Sequence, residues 1–109
     1  VPAMPGIERI DLHLQDGNDR TCVWETDNVQ IMRIRLAPGE ALPRHNSNSQ
    51  VVLLPLAGKL KFETPGQTEV FGTAEALSVP FDTQMDVSNA GEEPATFLVI
   101  KTPHPKKMR

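Results

Sequence analysis

The residues best suited to chemistry near neutral pH are the three histidines, His13, His45 and His104. Imidazole titrates close to neutrality, so it can carry a proton or ligate a metal as its surroundings dictate. His45 keeps the most suggestive company: the polar stretch Arg44–Gln50 runs directly into Val51-Val52-Leu53-Leu54-Pro55-Leu56. His13 alternates with apolar neighbours on what reads as the polar face of a strand, which predicts exposure. His104 lies between Pro103 and Pro105 near the end of the chain, which predicts a solvated ring. Neither stands at ligand spacing from His45, and there is no paired-His motif, cysteine cluster or acidic calcium loop. Ser47 and Ser49 lie near His45, but no nucleophile elbow surrounds them. Pro38-Gly39 and Pro65-Gly66 read as turns, with no lysine in P-loop spacing after them. The single cysteine, Cys22, excludes an internal disulfide, and its setting in Thr21-Cys22-Val23-Trp24 predicts a buried thiol acting as a small hydrophobe.

These groups must be positioned by short strands. The 109 residues, 39% hydrophobic and 23% charged, suit one globular domain. Ten prolines and seven glycines leave few windows long enough for a helix. Ile7 to Leu14 alternates Ile10, Leu12 and Leu14 against Arg9, Asp11 and His13, the period of a half-buried strand. Asp16-Gly17-Asn18-Asp19 turns into Thr21–Glu25, and Val29 to Leu36 follows, with Met32, Ile34 and Leu36 on one face. Arg33 and Arg35 share the other face; rim charges or ligand anchors are open for them, and ordinary solubility residues are the default. Further runs over 51–56, 59–63, 68–71, 76–79, 84–88 and 95–101 are separated by Pro, Gly, Asn and Asp. Eight to ten short strands with regular turns predict an all-β sandwich or barrel with little or no helix.

Charge narrows the partners. Asp and Glu number 14 against 11 Lys and Arg, a net charge of -3, which argues against nucleic acid. Lys106, Lys107 and Arg109 form the one basic cluster and read as a solvated tail. No run approaches the ~20 apolar residues of a membrane span. No signal peptide is visible, although the opening on Val1 leaves a removed leader open. The expectation is a reduced, cytoplasmic compartment.

The glycine and proline punctuation resembles the cupin family. Gly39, five residues, His45, one residue, Ser47, three residues, Val51, six residues and Gly58 match the spacing of the first cupin motif. Anchoring the second motif on Pro80 puts Ala74 and Asp82 at its glycines, Met85 at its histidine and Asn89 at its asparagine. The resemblance covers about 29–101, with 1–28 as N-terminal strands and 102–109 as a tail. It implies a small single-domain double-stranded β-helix, or jelly roll, often paired into homodimers. Metal-dependent dioxygenases, isomerases, epimerases and decarboxylases share this fold with binding and storage proteins, so the fold settles no activity.

In metal-binding members three histidines and a glutamate hold a divalent ion. Their equivalents are His45, Ser47, Val51 and Met85, of which only the imidazole is a strong ligand for a first-row metal. The resemblance therefore implies a degenerate metal site, with no metal and no cofactor. His45 is the best single catalytic candidate. The epimerase branch pairs its histidine with a tyrosine, and this chain has none. Asp82 and Asp86 are the alternative proton carriers, but Asp82 reads as a turn residue and Asp86 faces away from the lumen. Strand parity points Val51, Leu53, Met85 and Val87 inward with His45, and leaves Ser47 and Gln50 as further polar anchors. That lining would suit a small organic ligand, or simply fill the barrel as core. Val52, Leu54 and Leu56 then point outward and need cover, from Leu12 and Trp24 or from a second subunit. The leading expectation is a metal-free ligand-binding or regulatory module, most readily a homodimer. The alternative is a small-molecule isomerase or oxygenase using His45, with or without a metal.

Overall fold

The structure, a computed structural model, describes residues 6–108. Nine strands form two antiparallel sheets with no α-helix among the described residues: β1 (Arg20–Glu25), β2 (Gln30–Leu36), β3 (His45–Asn46), β4 (Gln50–Ala57), β5 (Leu60–Thr64), β6 (Gln67–Phe71), β7 (Leu77–Val79), β8 (Gln84–Asn89) and β9 (Ala95–Thr102). A single 3-10 turn, Pro105–Met108, follows. The sheets are ordered β1-β2-β9-β4-β7 and β3-β8-β5-β6. Their facing surfaces enclose a core that includes Ile34, Val51, Leu53, Leu60, Phe62, Met85, Val87 and Phe97. Alternation explains the membership, because every second residue of a strand faces the same side. Pro55 is tolerated inside β4 because the register against β9 slips there, between Pro55 and Ala57.

Two residues, Asn89 and Gly58, fix connections between the strands. Asn89 is buried at the end of β8; its Nδ2 donates to the carbonyls of Leu36 (3.0 Å) and Glu93 (2.8 Å), and its Oδ1 accepts from the Gly91 N–H (2.8 Å). Gly58 turns β4 into β5 with φ +80°, and a Cβ there would stand 2.8 Å from Cα of Ala95. Only glycine meets both conditions.

The N-terminal segment differs from its expectation. Ile7 to Leu14 forms no strand, and Ile7 and Leu14 are exposed. It is held by side chains of β2 instead of a backbone ladder. Arg33, fully buried, donates from Nη1 to Asn18 O (2.6 Å), from Nε to Leu12 O (3.4 Å) and from Nη2 to Asp16 Oδ1 (2.7 Å) and Thr21 Oγ1 (3.2 Å). Arg35 donates from Nη1 to Asp16 O (3.0 Å) and from Nη2 to Leu14 O (2.9 Å). The two arginines are therefore fasteners, since a guanidinium supplies several donors in one fixed fork. Cys22 is exposed on the edge strand β1 and not buried, because no strand of the described residues pairs beyond that edge.

The tail is likewise not free. His104 Nε2 lies 2.9 Å from Glu25 Oε2, and Lys106 Nζ lies 2.8 Å from Asp27 Oδ1. These contacts tie the 3-10 turn to the β1–β2 connection. His104 is accordingly partly buried, contrary to the solvated ring expected of it; Arg109 lies outside the described residues. His13 is exposed, with φ 53°.

Candidate functional site

Both sheets contribute to one cavity of about 180 Å³ at the mouth of the barrel. Met32 and Ile34 of β2, Leu53 of β4, Val99 of β9, and Met85 and Val87 of β8 build its walls, with Leu42 and Pro43 from the connection before β3. Its polar lining is His45, Arg20 and Lys101. The volume is below the ~300–1,000 Å³ of drug-sized sites, which scales it to a small metabolite.

His45 stands directly opposite Met85 in the β3–β8 register. Its Nδ1 is 3.0 Å from the carbonyl of Pro43. A carbonyl can only accept, so Nδ1 carries the proton and Nε2 is the free ring nitrogen. The ring is exposed at the rim. Neither aspartate weighed as its partner lines this cavity. Asp86 is ion-paired with Arg44, which donates from Nε at 3.0 Å, and Asp82 accepts from Asn46 Nδ2 at 2.9 Å.

Of the residues expected to line the pocket, His45, Leu53, Met85 and Val87 are brought together there; Ser47, Gln50 and Val51 are not. Ser47 is buried and already committed: Oγ donates to Pro80 O (2.6 Å) and accepts from the Thr83 N–H (2.8 Å), which sews β3 to the β7–β8 connection. Gln50 is exposed and donates to Ser78 Oγ at 3.0 Å. Val51 belongs to the packed core.

Arg20 and Lys101 escaped the sequence reading. Lys101 continues the inward parity of Phe97 and Val99 on β9, a signal that its charge obscured. Arg20 pairs with Ile34 and so faces the lumen from the first position of β1, where the sequence suggested a turn. Burial pushes the Lys101 ammonium below its ordinary pKa, and the charge of Arg20 pushes the same way. Among the described residues no carboxylate is paired with either cation, and no acid lines the cavity. The positive lining contrasts with the net charge of -3 on the whole chain.

Two facing antiparallel sheets with a mouth cavity define a double-stranded β-helix, and the chain belongs to the cupin family. It is 36% identical over 84 residues to the uncharacterized protein MJ0764 of Methanocaldococcus jannaschii, covering 76% of this chain and 72% of that protein. The crystal structure of that RmlC-like cupin superposes with a TM-score of 0.84 and 29% identity, over 97% of this chain and 98% of that one. TT1209 from Thermus thermophilus has a TM-score of 0.77 at 22% identity, covering 89% of this chain and 98% of its own. A cupin superfamily protein from Desulfitobacterium hafniense has a TM-score of 0.73 at 16% identity, covering 89% and 100%. The last two likenesses bear on fold alone. No family model matches the chain.

Proposed function

We propose that the protein is a metal-free cupin that binds a small organic molecule in the cavity at the barrel mouth. The observation carrying this reading is the lining itself: apolar walls from both sheets with three polar groups at the rim. Such a combination excludes water from the body of a ligand while a few polar groups orient it.

The four positions that hold metal in cupins do not make a ligand set here. Valine offers no lone pair, and a thioether is a soft, weak donor. The Ser47 hydroxyl is spent on Pro80 and Thr83. Among the described residues no three His, Cys, Asp or Glu gather at ligand distances. Elemental analysis of the purified protein checks this: we expect metal far below one per chain. Near-stoichiometric metal that disappears in His45→Ala would overturn the reading.

Binding is tested by thermal shift against a panel of small metabolites. The expected result is a compound that raises Tm in the native protein and fails in Leu42→Trp, which narrows the cavity from its half-buried rim. A panel without effect, or a shift that survives Leu42→Trp, contradicts a ligand cavity.

The same reading includes a homodimer. Ile31, Ile100, Val52 and Leu54 lie on the outer face of the larger sheet and are only half-buried, while the N-terminal segment covers the Arg33 end of that face. A second copy would cover the remainder. Light scattering should give twice the chain mass, and Leu54→Glu should return it to one. The exposed, unpaired Cys22 suits a reducing cytoplasmic setting. No helix among the described residues is long and apolar enough to cross a membrane.

A further inference from the structure

The binding reading above leaves the class of ligand open, and the charges around the cavity narrow it. Lys101 reaches the lumen from the inner face of β9, half-buried, one inward position beyond Val99. Arg20 lines the same cavity from β1. Two cations held close together, one of them partly removed from water, oppose folding unless something neutralises them. Elsewhere the chain does so internally: Arg33 has Asp16, Arg44 has Asp86 and Lys106 has Asp27. At the cavity mouth no carboxylate of the described residues is paired with either cation. The complement is missing where an apolar chamber opens beside it.

We infer that the cavity takes a small carboxylate with an apolar body, the carboxylate set against Arg20 and Lys101 and the body against Leu53, Met85 and Val87. Arginine offers a planar fork that matches a carboxylate, and lysine adds a point charge. His45 presents Nε2 at the rim, since Nδ1 is turned to the Pro43 carbonyl. In the neutral ring Nε2 only accepts, so it suits a hydroxyl on the ligand body better than the carboxylate. This inference rests on the ligand-binding reading, and the experiment separates the two.

Isothermal titration calorimetry at low salt would use hexanoate and its neutral isostere hexanamide as probes. We expect hexanoate to bind and hexanamide to bind about tenfold or more weakly, the effect of losing charge-assisted hydrogen bonds. Lys101→Met and Arg20→Gln should each weaken hexanoate by about tenfold while leaving hexanamide unaffected. The Arg20 side is exposed, so Arg20→Gln keeps the test available if Lys101→Met were to fold poorly. Equal binding of the two probes would overturn the carboxylate assignment and leave the small-molecule cavity intact. Hexanoate binding that survives both substitutions would overturn it as well, by placing the anion elsewhere. Absence of binding by both probes also overturns it, while the fate of the broader reading is then decided by the metabolite panel and Leu42→Trp.

Discussion

The guanidinium of Arg33 is wholly enclosed, and its Nη2 lies 2.7 Å from Oδ1 of Asp16, a residue 17 positions earlier in the chain. That one pair, with three further hydrogen bonds from the same fork, does what a β-ladder would otherwise do for the N-terminal segment. Arg33→Ala should cost about 3 kcal/mol, because it empties a wholly buried side-chain site and removes four hydrogen bonds. Arg33→Lys should recover little of this, since an ammonium cannot reach the same set of acceptors. Urea unfolding of the three proteins, compared at constant m-value, measures both.

Acid should loosen the same fastening. Partial desolvation disfavours ionised Asp16, but the Asn18 N–H, the charge and hydrogen bond of Arg33, and His13 outweigh it and hold the carboxyl below 3.8. A carboxyl more acidic in the folded than in the unfolded chain stabilises the fold above the unfolded value, and that contribution disappears as pH falls through the folded one. Stability of the native protein should therefore drop below about pH 4, and the drop should be smaller in Asp16→Asn. Denaturant titrations between pH 6 and about pH 2.5 test it.

At the alkaline end the charge of Lys101 opposes the fold, where that of Asp16 supports it, yet the slope against pH has the same sign. Burial first and Arg20 second make the folded ammonium a stronger acid than the unfolded one. The unfolded chain then binds more protons between the two values, so stability rises with pH through that window. Lys101→Met should remove the rise and modestly stabilise the protein near neutral pH, the gain being limited by the solvent that still reaches the ammonium. A flat alkaline profile in the native protein would contradict this.

Ser47 and His45 are two residues apart and should behave differently. Ser47→Ala removes the partner of the half-buried Thr83 N–H and of the Pro80 carbonyl, and should cost about 1 kcal/mol without changing the affinity of any cavity ligand. An affinity change in Ser47→Ala at unchanged stability would return the serine to the pocket.

Gly58→Ala combines a left-handed φ of +80° with a Cβ 2.8 Å from Cα of Ala95. It should destabilise by about 2–4 kcal/mol, more than a conformational penalty alone, because the obstructing atom is backbone. Thermal unfolding gives the value directly.

Much of this architecture was legible in the residues. Alternation placed Met32, Ile34 and Leu36 on one side, and glycine and proline spacing marked the cupin frame around His45. Parity also brought Leu53, Met85 and Val87 to the cavity. Val51 faces inward as parity requires but packs in the core, and the polar anchors expected at Ser47 and Gln50 fail because a side-chain hydrogen bond, invisible in a periodic pattern, decides which group is free. Parity failed over Ile7 to Leu14 because an alternating segment needs a neighbouring ladder to become a strand, and β2 offers arginine side chains instead. Lys101 and Arg20 were missed for a related reason: charge is ordinarily read as facing water, and here strand register carries it inward.

The place of β9 in the larger sheet bears on how the molecule comes into being. It lies in the middle of the order β1-β2-β9-β4-β7, yet it follows every other strand of the described residues in the chain. On the ribosome, the β1–β2 and β5–β6 hairpins can form as soon as they emerge, since their partners are neighbours in the chain. β2 and β4 must wait, each with one hydrogen-bonding edge and an apolar face open, until Thr102 has been added. The nascent barrel is thus open to mispairing along these two strands until β9 emerges.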